Sequence, residues 1–504
     1  MTLRVLSLAS EAVPFIKTGG LADVAGALPA AVAPHGVAMT TMLPGYPGVL
    51  ARLAAQYPAP KSKRAKAAGP KVLHEWEAIF GHPARLLAGT LDGAGDGAPL
   101  LVLDCPALFD RPGGPYGNDA GQDWPDNGLR FAVFARAAAD VAGGIVEGMT
   151  FDLLHAHDWQ AGLAPAYLKF APYGGHSVPS VMTIHNMAFQ GHFPAALFHE
   201  IGLPAEAWAM NGVEYHGGVG LLKAGLEAAH AITTVSPTYA LEIREPHFGM
   251  GLEGLIRSRG AQVHGIVNGI DPTEWNPATD AAIKSQFTVR SLAKRQANKR
   301  ALEAEFGLER DDGPLFIVVS RLTWQKGMDV LAQCIDHLVG LGGRLALLGS
   351  GDAGLVGELS AAAARHPGRV ALRIGYDEAL SHRMQAGGDA ILVPSRFEPC
   401  GLTQLYGLAY GCVPVVARTG GLADTVVDAN LAAVKAEAAT GLQFATVDYA
   451  SLSGAISRAI LLYSQQDVWR AMQKAGMSAD FTWRQSGAAY AHLYRSIALE
   501  NSPA

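Results

Sequence analysis

The hexapeptide Thr-Gly-Gly-Leu-Ala-Asp occurs twice in this chain, at Thr18–Asp23 and at Thr419–Asp424. Each copy follows a short apolar run of the kind that forms a buried strand, and each opens a segment rich in helix-forming residues. A cation precedes each copy, Lys17 in the first and Arg418 in the second. Two strand-to-helix turns of one design, far apart in the chain, predict a fold built from two similar αβ halves.

Two interpretations of this repeat stand side by side. The N-terminus of a helix carries unpaired N–H groups and a partial positive charge, so it attracts phosphate, and glycine lets a ligand approach the backbone closely. On this view, two nucleotide-binding halves face one shared anionic ligand. Gly-Gly before an Ala-rich helix is also a common strand-to-helix turn that needs no ligand. The local sequence leaves both open.

Length and charge limit the class of protein. A chain of 504 residues is too long for one ordinary hydrophobic core, so two domains are expected. The formal net charge of −6 argues against nucleic acid or an anionic membrane as the main partner. In such an acidic chain, the basic stretch at 61–71 indicates a solvated loop.

The N-terminus and the cysteines indicate a compartment. The first apolar run is short and ends at Glu11, unlike a signal peptide, and no apolar run reaches the roughly 20 residues of a membrane helix. The four cysteines show no metal-type spacing and no dense disulfide framework. We therefore expect a cytoplasmic protein with no membrane partner.

Short apolar runs alternate with helix-forming segments along the chain, which predicts parallel sheets covered by helices on both faces. The strands expected in the first half are Arg4–Ala9, Val37–Leu43, Ala98–Asp104, Leu153–His157, Val178–Ile184 and Ala231–Val235, with helices at Leu21–Ala33 and Asp126–Ile145. The pattern restarts with strands at Val263–Val267, Leu315–Ser320, Arg344–Leu348, Val370–Ile374, Ala390–Val393 and Val413–Ala417, and with a helical stretch at Lys284–Phe306.

This restart gives the domain boundaries. We predict a first domain over residues 1–262 and a second over residues 263–478. The remaining segment, 479–504, carries Trp483, Tyr490 and Tyr494 at helical spacing, which is typical of an aromatic face packed in a core. We expect this last helix to return to the first domain.

Two cations follow the strand predicted at Leu315–Ser320. Arg321 and Lys326 lie at the carboxyl end of that strand and before a helix, which is where open parallel sheets bind ligands. A planar guanidinium and a mobile ammonium together suit a diphosphate. An ordinary salt bridge at a helix entry is the alternative, and the placement of the two residues favours the anion site.

Glu398 follows the strand predicted at Ala390–Val393. A carboxylate at a strand end can accept hydrogen bonds from a polyol, and the helix that begins at Leu402–Gln404 points its first N–H groups the same way. A glutamate that merely initiates a helix is equally consistent with the spacing. The residues alone leave this choice undecided.

In the first half, two neighbouring strands end in polar residues. His157 and Asp158 end one, and His185 and Asn186 end the next. A lone histidine is more often structural than functional, but two such strand ends side by side favour a site. In the second half, Tyr376 offers either an aromatic face for a nucleobase or a buried ring. The chain has no Walker A sequence, nucleophile elbow or zinc motif.

Six motifs in order along most of the chain resemble bacterial glycogen synthases and plant starch synthases of glycosyltransferase family 5. They are Lys17–Asp23, His155–Trp159, Thr183–Asn186, Val267–Asp271, Ser320–Gly327 and Arg396–Gln404. The resemblance implies an α/β chain with the GT-B fold, in which two Rossmann-like domains place parallel sheets on either side of a deep cleft.

The resemblance also implies the reaction and the partners. Members of this family transfer glucose from ADP-glucose to the non-reducing end of an α-1,4-glucan such as glycogen, and they retain the anomeric configuration. No cofactor is expected, because ADP-glucose is a substrate, and no metal is expected, because cationic side chains take the part of one. A front-face departure with the leaving diphosphate as base is the expected mechanism.

The site residues implied by the resemblance fall into three groups. The expected catalytic residues are Lys17, His185, Arg321, Lys326 and Glu398. Donor binding is expected from Gly19, Gly20, Asp158, Asn186, Asn268, Tyr376, Cys400, Gly401, Leu402 and Thr403. Further residues lining the cleft are Glu11, Asp23, Tyr116 and Gln404.

Individual roles follow from the same resemblance. Arg321 and Lys326 would neutralise the departing diphosphate, and Glu398 would hold the hydroxyls of the donor glucose. His185 would lie beside the reacting sugar with its backbone carbonyl near the anomeric centre, and Tyr376 would stack on adenine. Many retaining GT-B enzymes carry a second glutamate eight positions after the first, where this chain has a tyrosine; the bacterial glycogen synthases share that difference.

Three alternatives remain at this stage. A related transferase could use UDP-glucose or another acceptor, since residue chemistry alone does not separate adenine from uracil. A catalytically silent glucan-binding protein is a second alternative, although such a protein needs no diphosphate clamp. A phosphorylase shares the architecture but would need a pyridoxal phosphate lysine, which no motif suggests. Because Lys17 and Arg321 lie in different domains, we also expect the cleft to close around the diphosphate.

Overall fold

The computed structural model describes residues 2–57, 69–91 and 97–501, so most of the basic stretch at 61–71 lies outside the described residues. The chain divides into two compact units. The first comprises Met1–Val235, Ala240–Gly269 and Trp483–Ala504, and the second comprises Ser236–Tyr239 and Ile270–Thr482. Among the described helices, none has both the length and the apolar character needed to cross a bilayer.

The first unit is built on a nine-stranded sheet in the order β12-β11-β7-β6-β1-β2-β5-β4-β3. Its strands are β1 (Leu3–Leu8), β2 (Val37–Pro44), β3 (Val72–Ile79), β4 (His82–Leu91), β5 (Ala98–Asp104), β6 (Leu153–His157), β7 (Ser180–Ile184), β11 (Ala231–Thr234) and β12 (Val263–Gly265). A small antiparallel sheet joins β8 (His192–Pro194), β9 (Glu214–Tyr215) and β10 (Gly218–Gly220).

The helices of the first unit cover both faces of this sheet. They are α1 (Gly20–Val32), α2 (Pro47–Ala55), α3 (Pro106–Phe109), α4 (Asn127–Ala142), α5 (Asp158–Ala161), α6 (Leu163–Phe170), α7 (Leu221–Ala228), α9 (Pro246–Gly249), α10 (Glu253–Arg259) and α20 (Trp483–Glu500). The short helix α8 (Pro237–Glu242) is divided between the two units.

The second unit has a six-stranded, fully parallel sheet in the order β15-β14-β13-β16-β17-β18. Its strands are β13 (Leu315–Val319), β14 (Arg344–Gly349), β15 (Val370–Ile374), β16 (Ala390–Val393), β17 (Val413–Ala417) and β18 (Leu442–Phe444). Its helices are α11 (Arg295–Phe306), α12 (Met328–Gly340), α13 (Ala353–Arg365), α14 (Glu378–Gly387), α15 (Thr403–Tyr410), α16 (Gly420–Thr425), α17 (Leu431–Lys435), α18 (Tyr449–Ser464) and α19 (Gln466–Ser478).

Both sheets reverse their strand order at one point, and this determines where a ligand can bind. In the first sheet β1 lies between β2 and β6, and in the second β13 lies between β14 and β16. Connections from such a central strand leave in opposite directions, which opens a crevice outside its carboxyl end. The loops after β1 and β6, and those after β13 and β16, are therefore the positions to examine for function.

The aromatic face of the last helix is buried in the first unit. Trp483, Tyr490 and Tyr494 of α20 pack in one cluster with Val5 of β1 and Leu28 of α1. The hydroxyl of Ser486 on the same helix donates a hydrogen bond of 2.6 Å to the carbonyl oxygen of Val267. These contacts place α20 against α1 and against the central strands of the first sheet.

The domain assignment of one predicted strand and the start of one predicted helix differ from expectation. The strand expected to open the second domain, at Val263–Val267, is β12, and it pairs with β11 in the first sheet. The division between the units therefore falls after Gly269 rather than before Val263. The helical stretch at Lys284–Phe306 is a helix only from Arg295, because Thr288 caps a separate short 3-10 turn ahead of it.

The first sheet is also not wholly parallel. β4 runs antiparallel to both β3 and β5, and no strand was expected at either β3 or β4. The turn between them is Phe80-Gly81, with φ of 50° and 83°. Two positive φ values suit a tight hairpin, but phenylalanine is not a residue that signals one.

Candidate active site

The first unit contributes a buried carboxylate that organises the loop after β1. Glu11 is 3% exposed, and its carboxylate accepts two hydrogen bonds from Thr18, one from the backbone N–H and one of 2.6 Å from the hydroxyl. The phenol of Tyr116 donates a third hydrogen bond to the same carboxylate. Ser10 lies 2.8 Å from the same phenol oxygen. Burial and the negative Glu11 hold the pKa of Tyr116 well above its usual range, so the phenol remains a donor. Glu11 and Tyr116 thus anchor the first copy of the hexapeptide.

The first copy of the hexapeptide leads into α1, and its first glycine, Gly19, faces open space. A Cβ atom built on Gly19 would have no heavy atom within 4 Å, and Gly20 begins the helix. Lys17 forms an ion pair of 2.8 Å with Asp23 of α1, and both side chains are partly exposed. An exposed pair of this kind stabilises the fold by about 1 kcal/mol at most. Lys17 can therefore change partner at little cost.

Asp158 begins α5 at the end of β6, and its side chain hydrogen-bonds the loop that follows β7. Its carboxylate accepts a hydrogen bond of 2.7 Å from the backbone N–H of His185 and another from that of Asn186. Burial raises the pKa of Asp158 to about 7, against the lowering effect of the two N–H groups. Its φ of 55° is a left-handed backbone conformation that costs energy outside glycine, and such strain is concentrated at functional sites.

The histidines at the ends of β6 and β7 contact each other. Nδ1 of His157 lies 3.0 Å from Nε2 of His185, and the rings of His155 and His157 are 4.0 Å apart. Burial lowers the pKa of His185 and of His155 to about 3. All three rings are therefore neutral near pH 7, and they act through hydrogen bonds rather than charge.

Asn268 has a buried oxygen that lacks a partner. The residue is 5% exposed, and its Oδ1 accepts no hydrogen bond from any described residue. Buried polar atoms in native proteins are nearly always satisfied, so an orphaned acceptor of this kind calls for an explanation. A ligand hydroxyl would supply the missing donor.

The second unit brings two of the expected catalytic residues into direct contact. The ammonium group of Lys326, after β13, donates to the carboxylate of Glu398, after β16. The hydroxyl of Ser395 donates to the same carboxylate at 2.8 Å. The side chains of Lys326 and Glu398 are only 14% and 11% exposed. Lys326 therefore forms a salt bridge, and its partner is itself an expected site residue, so this contact leaves the anion-site prediction open.

Arg321 lies on the same loop but is exposed, and its guanidinium has no hydrogen-bond partner among the described residues. The loop around it is held rigidly. Arg396 forms paired hydrogen bonds of 2.7 Å with Asp329 and lies 4.3 Å from the ring of Trp324. A fixed loop carrying an unneutralised guanidinium is well suited to an anionic ligand.

The loop from Cys400 to Thr403 turns sharply into α15. Gly401 has φ of 72°, and Leu402 immediately precedes the first residue of the helix, Thr403. Gln404 is fully buried, and its amide nitrogen donates to the carbonyl oxygens of Cys400 (3.1 Å) and Gly401 (2.9 Å). Gln404 therefore supports this loop from behind, and Cys400, also buried, lies within it.

The second copy of the hexapeptide packs against this same loop. The backbone N–H of Gly421 donates to the carbonyl oxygens of Glu398 and Pro399, each at 3.1 Å. A Cβ atom on Gly421 would lie 2.1 Å from the carbonyl oxygen of Cys400, and one on Gly420 would lie 2.0 Å from that of Glu398. Neither contact leaves room for a side chain, so the two glycines permit a close approach of backbone to backbone.

Tyr376 follows β15 and is 75% exposed, so of the two alternatives at this position the buried ring is wrong. Its hydroxyl donates to Glu378 at 3.1 Å. Among the described residues, one group of acidic and histidine side chains could hold a metal ion: Glu274, Glu378 and His382, with ligand atoms within 4.8 Å of one another. None of these three lies on the loops that carry Lys326 and Glu398.

Several contributors were not singled out from the sequence. Ser395 hydrogen-bonds Glu398, Ser7 contacts His157, and Gly421 supports the Glu398 loop. Ser395 immediately precedes the Arg396–Gln404 motif and could have been found by its proximity to Glu398 in the sequence. Ser7 reaches the site only through a tertiary contact, for which the sequence gives no signal. Gly421 belongs to the repeated hexapeptide, but its contact with the Glu398 loop is tertiary and could not be predicted from that repeat.

Comparisons with known proteins show the family. Residues 4–258 match the family model described as the starch synthase catalytic domain, and residues 300–475 match that of glycosyl transferases group 1. A glycogen synthase of Novosphingobium aromaticivorans is 69% identical over 99% of this chain and 100% of its own. A glycogen synthase of Mesorhizobium japonicum is 55% identical over 98% of this chain and 99% of its own.

A solved structure shows the same fold. It is the catalytic domain of starch synthase IV from Arabidopsis thaliana bound to ADP and acarbose. The TM-score is 0.84 with 30% sequence identity, and the alignment covers 99% of this chain and 100% of the other.

Proposed function

This chain belongs to the glycogen and starch synthase family of glycosyltransferases and has its GT-B fold of two Rossmann-like domains, and from that premise we propose the full reaction. It transfers glucose from ADP-glucose to the non-reducing end of an α-1,4-glucan, with retention of the anomeric configuration. ADP departs from the same face that the acceptor hydroxyl attacks, without a metal or a cofactor. We propose the cytoplasm as its compartment, in keeping with the four free cysteines.

The contact between Lys326 and Glu398 carries this proposal. It places a cation for phosphate and a carboxylate for sugar hydroxyls side by side at the point where the second sheet reverses its strand order. As the glycosidic bond of the donor breaks, negative charge grows on the diphosphate. Lys326 and the exposed Arg321 are fixed cations that stabilise that charge most in the transition state.

Glu398 is already oriented to hold the donor. Ser395 and Lys326 both donate to its carboxylate, which fixes the side chain and leaves further lone pairs for the hydroxyls of glucose. The backbone N–H groups of Gly401, Leu402 and Thr403 open α15 and add a partial positive charge for the donor phosphate. We assign adenine to the exposed ring of Tyr376.

The first unit supplies the remaining contacts in this proposal. Asp158 and the orphaned oxygen of Asn268 accept hydrogen bonds from the donor glucose. The carbonyl oxygen of His185 stabilises positive charge at the anomeric carbon. Lys17, released from Asp23, adds a third cation for the diphosphate.

The mechanism follows from the groups that are present. None of the carboxylates in the site motifs is proposed as a covalent nucleophile; Asp158 and Glu398 are assigned instead to accept hydrogen bonds from the donor glucose. The leaving diphosphate oxygen takes the proton of the acceptor hydroxyl as the new bond forms on the same face. The protein's part is to position the two sugars and to neutralise the leaving group.

The direct test is release of nucleoside diphosphate from a panel of sugar nucleotides, with and without glycogen. ADP-glucose with glycogen gives the largest signal if the proposal is right. A larger signal with UDP-glucose would reject the donor assignment, and no turnover with any donor would reject the transferase itself. Product digestion with enzymes specific for α-1,4 linkages checks the linkage and the anomer.

Two substitutions test the residue assignment. Lys326→Ala and Glu398→Gln each lower kcat by about 10²- to 10³-fold, the effect of removing one preorganised electrostatic group. Breaking a buried pair also destabilises a fold by about 3–5 kcal/mol, so thermal unfolding is measured alongside the rates. Near-normal kcat in both variants would contradict the assignment.

A further inference from the structure

Three side chains in the first unit form a hydrogen-bonded row that leads into the proposed site. The hydroxyl of Ser7, on β1, lies 3.2 Å from Nε2 of His157, on β6. Nδ1 of His157 lies 3.0 Å from Nε2 of His185, which follows β7. The row therefore crosses three adjacent strands and ends at an expected catalytic residue.

The buried hydroxyl at the start of the row determines where the protons lie. Ser7 is fully buried, and among the described residues the Nε2 atom of His157 is the one partner of its hydroxyl. A buried donor left without an acceptor is costly, and buried donors are left unpaired less often than buried oxygen acceptors, which have two lone pairs. The Ser7 proton is therefore donated to Nε2 of His157, which must carry a lone pair rather than a proton.

The remaining protons follow because both rings are neutral. Neutral imidazole has one N–H, so His157 carries its proton on Nδ1 and donates it to Nε2 of His185. His185 must then accept at Nε2 and carry its own proton on Nδ1. The opposite arrangement would reverse both hydrogen bonds and leave the Ser7 proton with no acceptor in the described part of the chain.

The surroundings keep the row uncharged. Burial and the neighbouring rings lower the pKa of His157 well below its usual value, and burial lowers that of His185 to about 3. The groups that face the row are the neutral ring of His155, itself bonded to the phenol of Tyr494 at 2.8 Å, and the carboxyl of Asp158, which is engaged with the backbone of His185. Neither supplies a firm negative charge to stabilise an imidazolium.

We infer that Ser7 and His157 are positioning residues that lock His185 in the tautomer with its proton on Nδ1. In that tautomer His185 offers an N–H donor to an oxygen of the sugar substrate and has no lone pair with which to act as a base. The identity of the ligand rests on the proposed function, while the tautomer does not.

The tautomer can be measured without any turnover. In protein labelled with ¹⁵N-histidine, the protonated and unprotonated ring nitrogens have well-separated chemical shifts, and loss of signals in His157→Gln and His185→Gln assigns the two rings. We expect both rings to be neutral at pH 7 with the proton on Nδ1. A proton on Nε2 of His185, or a positively charged ring at that pH, would overturn the inference.

Ser7→Ala tests the origin of the lock, and Thr41→Val is its matched control. Thr41 pairs with Ser7 in the register of β1 and β2, is equally buried, and its hydroxyl has no partner among the described residues. Ser7→Ala should populate both tautomers, so that the two nitrogen shifts of His185 converge, while Thr41→Val leaves them unchanged. Equal shifts in wild type and Ser7→Ala would overturn the role of Ser7.

Kinetics give an independent readout. Loss of one net hydrogen bond lowers a rate constant by between about twofold and about tenfold. We therefore expect kcat of Ser7→Ala to fall by that factor while the KM for the glucan is unchanged. A fall in kcat with an unaltered tautomer would also count against the inference. If no donor supports turnover, the proposed function fails, and the spectrum of the wild-type protein still decides the tautomer.

Discussion

The two copies of Thr-Gly-Gly-Leu-Ala-Asp differ in every contact that matters, although their sequences are identical. In the first, Gly19 faces open space and the loop is held by side chains, through Thr18 and the buried Glu11. In the second, the glycines Gly420 and Gly421 press against the backbone of another loop, with no space for a Cβ atom on either. The final aspartates differ too, since Asp23 pairs with Lys17 while Asp424 accepts two hydrogen bonds from Thr238.

This difference shows that the surroundings decide what a short motif does. In both copies glycine precedes a helix at the carboxyl end of a parallel strand, so both local interpretations were physically sound. The first copy keeps its glycine accessible, as a ligand site requires. The second uses its glycines to let the loop of Glu398 approach closely, and it acts on the site through that loop.

The largest expected effect is in the second copy. Gly421→Ala puts a methyl group 2.1 Å from the carbonyl oxygen of Cys400, so the backbone of the loop must move. Overpacking of this kind costs about 1–3 kcal/mol of unfolding free energy. A shift of the Glu398 loop by about 1 Å lowers kcat by about 10²-fold, because the reacting groups lose their alignment. Denaturant unfolding and turnover are measured on the same preparation.

The control for this variant is Gly357→Ala in the second unit. Gly357 is exposed on α13, and a Cβ atom there has no heavy atom within 4 Å. Alanine favours a helix interior over glycine by about 1 kcal/mol, so the control should be unchanged or slightly more stable. Normal activity in Gly421→Ala would show that the two copies are alike after all, and the comparison would fail.

The next effect is in the first copy, where side chains hold the loop. Thr18→Val keeps the shape of the residue but removes the hydroxyl that donates to Glu11 at 2.6 Å. The free energy of unfolding falls by only about 1 kcal/mol, because Tyr116 and the backbone N–H of residue 18 still donate to the Glu11 carboxylate. Thermal unfolding measures it, with Thr18→Ser as the variant that restores the hydroxyl. No difference between valine and serine would show that Glu11 does not anchor this loop.

The same contrast shows what the sequence can and cannot predict. Strands β16 and β17 were predicted to the residue, since buried parallel strands are nearly continuous apolar runs bounded by polar ones. The turn at Phe80-Gly81 was missed because its positive φ values are imposed by the hairpin rather than favoured by phenylalanine. Local preferences that agree with the tertiary structure are readable, and those that it overrides are not.

The site follows the same rule. Lys326 and Glu398 each stand at a strand end, so their membership of a site could be predicted from placement. Their direct contact could not, because it depends on β13 and β16 being neighbours in the sheet although the two residues are 72 positions apart. The support of Glu398 by Gly421 is likewise a contact between loops, and no periodicity or motif encodes it.

The smallest expected effect on stability decides between the two interpretations of the first copy. Gly19→Ala adds a methyl group where nothing lies within 4 Å, on an extended backbone with φ of −159° that alanine also adopts. Alanine is less favourable than glycine at the N-cap of a helix, which destabilises the fold by about 0.5–1 kcal/mol. Alanine also lowers the conformational entropy of the unfolded chain, which stabilises the fold by a similar amount, so the two effects nearly cancel.

Unfolding of Gly19→Ala should therefore match that of wild type to within about 0.5 kcal/mol, and the informative measurement is the KM for ADP-glucose. If the donor approaches this turn as proposed, the methyl group occupies its space and the KM rises by about 10- to 200-fold, the effect of the roughly 1–3 kcal/mol that a misfit methyl costs in a binding site. An unchanged KM with unchanged stability would identify the first copy as a turn and nothing more. The donor would then not occupy the open space at Gly19, and the proposal that Lys17 leaves Asp23 to bind the diphosphate would lose its support.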